Sequence, residues 1–297
     1  MQILVPFFTT FRYYNPEAKL LFCTNLKAHE LPAFLTELFM KQSVEIKTLP
    51  YTCKPPKGWY NAWMSQYYLY DILIEMERRM EARDTLIVSD ADCLCRRSLT
   101  PLFDEVERKG SAFYTIGYPR DYVLNGTSIE QMKAVYQGCY GESKTLHYLG
   151  GEFIALRGDM VKQVNKEFSV LSQYNFTLGQ GVPRLHEEAH NMSVIAARLN
   201  ISNDLANKYV KRMWTARRCN NIVPSDEQLS VWHMPAEKKT GFYRLFRYLR
   251  RRGGISDEKA FWHKAGAWCG VPRISTSKKM MDLCLKAGAK IRQKLGL

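Results

Sequence analysis

Asp90 and Asp92 stand two residues apart, directly after the short apolar run Thr85–Ser89 (TLIVS). Carboxylates at i and i+2 just beyond a strand can share a hard divalent cation. Such a cation prefers oxygen ligands and bridges the oxygens of a nucleotide diphosphate. An acidic turn offers the same pair, and it is the apolar run in front that favours the metal reading. His233 follows a second short apolar run, with Lys238 and Lys239 just beyond it. Its imidazole is a candidate third ligand, and the two lysines are candidates to neutralise phosphate charge. The alternative is a surface histidine beside a basic tail.

His186-Glu187-Glu188-Ala189-His190 has three readings. It matches H-E-x-x-H, in which two histidines on one helix face bind zinc and Glu187 acts as base. It also fits a pair of sugar-site carboxylates, because glycosyl transfer passes through an oxocarbenium-like state that a carboxylate stabilises. The third reading is an exposed helix start, where the macrodipole favours acids. The five residues leave all three open.

These residues need elements to hold them. Apolar runs predict strands at residues 3–8, 20–24, 44–49, 85–89, 152–156 and 231–233. Helical spacing predicts helices at 29–40, 61–82, 159–171 and 186–199, and Thr100-Pro101 reads as an N-cap followed by Pro at N1. Alternation of strands and helices implies an α/β domain with a largely parallel sheet, and ligands of such sheets bind beyond the carboxyl ends of the strands. Phe8 and Thr9, closing the first expected strand, are therefore candidate nucleotide contacts.

The 297 residues, 46% apolar and 24% charged, suffice for one large domain with a buried core and exclude wholesale disorder. Of the net charge of +14, +13 falls on residues 238–297. The reading is thus a near-neutral catalytic domain, 1–237, and a basic helical appendage, 238–297. In the appendage Phe242, Leu245, Phe246 and Leu249 follow i, i+3, i+4, i+7 among arginines, a pattern suited to an anionic membrane surface. The eight cysteines show no C-x-x-C pair, and the N-terminal MQILVPFFTT lacks the features of a signal peptide. A cytoplasmic protein with reduced thiols is expected, peripheral on the inner face of the plasma membrane.

Four stretches together resemble glycosyltransferase family 6, which includes the histo-blood-group A and B transferases and the α-1,3-galactosyltransferase. Glu77-Arg78-Arg79-Met80 ends a helix ahead of LIVSDAD. Leu99-Thr100-Pro101-Leu102-Phe103 is similar to the family's LTPLF, Tyr148-Leu149-Gly150-Gly151 to its donor-sugar loop, and HEEAH to its HDESH. The likeness spans residues 60–200. Residues 233–239 are also similar to the H-x-x-G-x-x-K of the glycogenin-like retaining family, with Ala236 in place of Gly. The family's arginine pair early in the long helix is absent, and Gln66, Tyr67 and Tyr68 occupy that region.

The resemblance implies a single type A (Rossmann-like) nucleotide-sugar fold and a metal-dependent retaining transfer of GalNAc or Gal from a UDP-sugar. The acceptor would be a glycan or lipid-linked glycan in bacterial surface polysaccharide or lipopolysaccharide synthesis. Asp90 and Asp92 would hold Mn²⁺ (or Mg²⁺) and the UDP diphosphate. Leu149, Gly150 and Gly151 would shape the donor-sugar pocket, with Gly151 leaving room for an acetamido group. Glu187 would hydrogen-bond the sugar, His186 would lie near it, and Glu188 would be the catalytic carboxylate. The competing readings are an inverting transferase, with Glu187 or Glu188 as base, and a basic nucleic-acid-binding protein. A nucleic-acid partner is not expected, because it leaves the aspartate pair unexplained.

Overall fold

The computed structural model describes residues 1–57, 59, 65–216 and 219–295. Among them the chain alternates helices and short strands, as the apolar spacing predicts. The first element differs. Residues 4–14 form a helix, α1 (Leu4–Tyr14), rather than a strand. Leu4, Val5, Phe8 and Phe11 are its buried apolar residues, which is the spacing of one helix face, and Pro6 lies in the first turn, where its missing N–H costs nothing.

Next come β1 (Leu20–Thr24), α2 (Ala33–Lys41) and β2 (Val44–Thr48), with β1 and β2 parallel. Helix α3 (Tyr68–Arg79) is the described part of the expected long helix; its expected start at residues 61–64 lies outside the described residues. Strand β3 (Thr85–Ser89) and the three-residue β4 (Cys93–Cys95) flank the aspartate pair. Helix α4 (Thr100–Lys109) buries Leu102 and Val106 one turn apart and ends at Gly110, whose φ of 88° suits glycine. Then follow β5 (Ser111–Thr115), α5 (Ile129–Tyr140), β6 (Leu149–Arg157), α6 (Gly158–Thr177) and α7 (Glu188–Arg198).

The central sheet has the order β3-β6-β5, with β6 antiparallel to both neighbours. This corrects the expectation of a largely parallel sheet. Strands β3 and β5 do run the same way, but β6 returns between them. A second sheet, β4-β10-β7, combines β7 (Val210–Arg212) with β10 (Val231–His233), and a small hairpin pairs β8 (Thr215–Ala216) with β9 (Cys219–Asn220).

The C-terminal helices are α8 (Gly241–Arg252), α9 (Glu258–Cys269) and α10 (Thr276–Leu295). Here the structure bears on two expectations. Of the stripe, Phe242, Leu245 and Leu249 are buried in one cluster with Leu4, Phe8, Phe39 and Trp232, and Phe246 is partly buried against it, so the stripe serves the core. Contacts also cross the expected boundary at 237/238. Glu237 is buried and accepts from Lys278 Nζ at 2.7 Å, Thr240 Oγ1 at 2.7 Å and the Gly241 N–H at 3.0 Å. No described helix is long and apolar enough to cross a membrane, and all eight cysteines are free.

Candidate active site

Pairing between strands assembles the metal ligands. Asp90 leaves β3 with its N–H donating to Glu152 O at 2.9 Å. Beyond Asp92 the chain enters β4, where Cys93 stands opposite His233 of antiparallel β10, and the Met234 N–H donates to Asp92 O at 2.9 Å. This ladder carries His233 across the sequence to the aspartates. Its Nε2 lies 3.4 Å from Asp92 Oδ2 and 3.7 Å from Asp90 Oδ2. One ligand atom from each residue falls within 4.8 Å of the others. Asp90 is half exposed, whereas Asp92 and His233 are buried.

The donor set fits a hard divalent cation. Each nitrogen of the buried His233 faces a carboxylate, Nε2 at 3.4 Å from Asp92 and Nδ1 at 3.5 Å from Glu152, both longer than an ordinary hydrogen bond. Burial alone would push the His233 pKa down, but Asp92 and Glu152 facing the ring raise it to about 9. Burial would raise Asp92, but His233 and Lys238 hold it below its ordinary value. Lys238 Nζ lies 3.0 Å from Asp92 Oδ2. Among the described residues no other group of His, Cys, Asp and Glu meets the geometry of a metal site.

Glu152, on β6, sits behind this trio. Its carboxylate accepts two hydrogen bonds from Arg212, at 2.5 and 2.6 Å. Burial raises its pKa, but His233 and Arg212 bring it down to about 2.

The second part of the site is the segment before α7. Glu187 is the N-cap, in extended conformation, and Glu188 is the first helical residue. Both are buried, which overturns the exposed-helix-start reading. Glu187 accepts from Tyr148 OH at 2.8 Å and from Asn125 Nδ2 at 2.5 Å, and burial raises its pKa. Glu188 Oε2 has no hydrogen-bond partner. Burial, with added repulsion from Glu187, Asp90 and Glu152, puts its pKa well above the ordinary carboxylate range. His186 precedes the helix, and its backbone N–H donates to His190 Nδ1 at 3.3 Å. The two imidazoles therefore do not share a helix face, and the zinc-protease reading fails on geometry. Burial holds His190 neutral, with its pKa lowered to about 3.

The other expected residues divide. Gly150 and Gly151 do lie at the site, but the space they leave is already filled. A Cβ on Gly151 would collide with Glu188 Oε1, and one on Gly150 with Glu152 Oε2. The room read at Gly151 as an acetamido subsite thus belongs to the Glu188 carboxylate. Leu149 is fully buried, its N–H donating to Ser193 Oγ at 2.9 Å, and lines no open pocket. Phe8 is packed against Phe39 and Phe22, and Thr9 is buried on the same helix, so the expected nucleotide contact there is corrected. Lys238, not the motif-matching Lys239, reaches Asp92; Lys239 is exposed. His186 stacks edge-on against Trp59 at 5.5 Å. The sequence reading missed Glu152, Arg212 and Asn125, and named Tyr148 only as the start of the YLGG stretch. Only Glu152 left a signal, as a lone charge inside the apolar strand LGGEFIAL.

No family model matches the chain, and no curated protein does. Among solved structures, the galactosyltransferase LgtC in complex with donor and acceptor sugar analogues is similar, at 13% identity and a TM-score of 0.47. That match covers 91% of this chain and 93% of LgtC. An active-site mutant of LgtC gives the same values. Apo mouse xyloside xylosyltransferase 1 is similar at 11% identity and a TM-score of 0.46, over 80% of this chain and 93% of that one.

Proposed function

We propose that this chain is a metal-dependent retaining glycosyltransferase of type A fold that moves a hexose from a UDP-sugar to a hydroxyl of a glycan or lipid-linked glycan. One observation carries the reading. Asp90, Asp92 and His233, close enough to share a cation, and the buried Glu188, whose Oε2 has no hydrogen-bond partner, both lie against strand β6. The motif likeness described above points the same way.

Asp90, Asp92 and His233 would hold Mn²⁺ or Mg²⁺, which when bound neutralises charge on a diphosphate leaving group. Lys238 adds a positive charge beside Asp92 for the same anion. Glu187, fixed by Tyr148 and Asn125, orients donor hydroxyls. Glu188 supplies negative charge where the anomeric carbon becomes electron-poor. The bond between that carbon and the UDP oxygen breaks. The acceptor oxygen bonds on the same face, and its proton leaves with the diphosphate. Nothing in the filled space at Gly151 favours GalNAc over Gal.

The basic C-terminal charge fits an acceptor held at the inner face of a bacterial plasma membrane, in surface glycan synthesis. Support comes from α10 rather than α8. Met280, Leu283 and Cys284 follow i, i+3, i+4 and are exposed. Lys278 and Asp282, on the opposite side, tie the helix to Glu237 and Arg244.

A thermal-shift screen of UDP-sugars with and without Mn²⁺ tests the enzyme reading, since only a ligand of the native state raises the melting temperature. A shift that needs both components is expected. No shift with any UDP-sugar, together with salt-sensitive binding to nucleic acid, would favour the nucleic-acid reading instead.

A further inference from the structure

Strand β6 contributes one residue that touches two of the three candidate metal ligands. The Glu152 carbonyl accepts the backbone N–H of Asp90 at 2.9 Å. Its side-chain Oε1 lies 3.5 Å from His233 Nδ1. The carboxylate cannot swing away, because Arg212 holds both of its oxygens through Nε and Nη2. Arg212 is fixed in turn, its backbone N–H donating to Tyr114 OH at 3.1 Å. Gly150 leaves the space that the carboxylate fills. The result is a buried anion, 4% exposed, behind a buried histidine whose far nitrogen faces two aspartates.

We propose that Glu152 is a positioning residue for the cation: it takes the Nδ1 proton of His233 as a hydrogen bond and thereby turns the Nε2 lone pair toward Asp90 and Asp92. The inference rests on the metal reading above. A histidine ligand binds a cation well only when its other nitrogen is fixed as the donor, and carboxylates commonly fix it. Arg212 compensates the charge of Glu152, so the carboxylate stays ionised and buried without a metal. Neither Glu152 nor Arg212 belongs to any motif in the sequence. The pair is joined by folding alone, through β6 and β7.

The test is Mn²⁺ binding without donor, followed by the paramagnetic resonance signal of free Mn²⁺. The proteins are the full chain, Glu152→Gln, His233→Ala and the double variant. Glu152→Gln should weaken binding by about 10- to 100-fold. If it acts through His233, the double variant should bind within about twofold of His233→Ala alone. A merely structural role would instead add its full loss on top. Unchanged affinity in Glu152→Gln, or a fully additive double variant, overturns the proposal. Should Glu152→Gln fail to fold, Gly150→Ala keeps every charge and displaces the carboxylate, with the Tyr114 ring edge giving by a few tenths of an ångström. It should weaken Mn²⁺ as well, and unchanged affinity there is equally fatal. If the unaltered protein binds neither Mn²⁺ nor Mg²⁺, the metal reading falls and takes this inference with it.

Discussion

The two halves of the site treat negative charge in opposite ways. At the aspartate end, each buried carboxylate has a cationic neighbour. Asp92 faces His233 and Lys238, Glu152 faces Arg212, and both are held below their ordinary pKa. At the α7 end, Glu187 and Glu188 are buried beside each other. The partners of Glu187 are neutral, a tyrosine, an asparagine and a histidine kept uncharged, and Glu188 Oε2 has none. Both carboxyls are pushed up instead. The first half is arranged to receive an anion together with its counter-cation. The second is a place where positive charge is missing, and an oxocarbenium-like centre would supply it. Folding alone gains nothing from leaving Glu188 Oε2 unpaired, so its retention there speaks for chemistry.

The sharpest way to break this contrast is Glu188→Gln. The variant keeps the shape and removes the charge. Turnover should fall by about 10²- to 10³-fold or more, the scale of losing one transition-state electrostatic contact. UDP and Mn²⁺ should still bind. The fold should become more stable near neutral pH, because a buried unpaired charge gives way to a neutral amide, whose own desolvation offsets part of the gain. The sign follows from linkage. A raised carboxyl pKa stabilises the native state below the unfolded value and loses that contribution as pH rises through the folded value. The gain of the Gln variant should therefore vanish in acid. Near-native turnover, or a product of inverted anomeric configuration, would refute the assigned role.

Asp92→Asn probes the other half. Turnover should drop by orders of magnitude and the Mn²⁺-dependent thermal shift with UDP should disappear. The variant should still fold, because the hydrogen bond from Met234 goes to the backbone carbonyl of Asp92 and survives. Full activity of this variant in a chelator would end the metal assignment. Glu187→Gln should have a milder effect, weakening discrimination between donor sugars while Tyr148 still donates to the remaining carbonyl oxygen. Unchanged ratios of hydrolysis across UDP-sugars would remove Glu187 from donor recognition.

The two halves also differ in how they could be read from sequence. The aspartate end was legible because its signals are local: a five-residue apolar run, a pair at i and i+2, and a histidine closing another run. What joins them, the pairing of Cys93 with His233, is nonlocal, yet the chemistry of the residue types anticipated it. Glu152 shows in the sequence only as a lone charge in an apolar strand, and its pairing with Arg212 was not legible, because a salt bridge 60 positions apart leaves no periodicity. The segment at 3–8 was misread because a short apolar run fits a buried strand or a buried helix equally well. The stripe on α8 was read correctly as a stripe, but periodicity says only that a face is apolar, not what covers it. Gly151 shows the same limit at one residue. Its smallness was legible, and its occupant, the Glu188 carboxylate, was not.

His190 sharpens the comparison through pH. Its pKa is lowered to about 3 by burial, while an unfolded histidine titrates near 6.5. Between those values the unfolded chain binds a proton that the native state refuses. Stability should therefore fall as pH drops from about 6.5 toward 3, with a slope of at most about 1.4 kcal/mol per pH unit from this group. Glu188 contributes with the opposite sign above its unfolded value. His190→Gln should flatten the acid side of the stability profile, measured by denaturant melts across pH, and leave the Glu188 contribution in place. A profile unchanged by the substitution would mean that the histidine titrates freely in the native state.

The smallest expected effect concerns the surface that the site is proposed to face. Arg247, Arg250 and Arg251 are exposed on α8, whose apolar stripe is already buried, so only their charge can serve a membrane. On α10 the exposed apolar residues Met280 and Leu283 remain available. Charge reversal of the three arginines should lower affinity for anionic vesicles by about 1 kcal/mol per charge near the surface, and the loss should shrink as salt screens it. Leu283→Glu should also weaken binding, but in a way that persists at high salt, because burial of apolar area is not screened. Neither change should touch UDP and Mn²⁺ binding. Vesicle cosedimentation at two salt concentrations separates the two contributions. If both variants bind as the unaltered chain does, the basic segment serves another partner and the membrane reading fails.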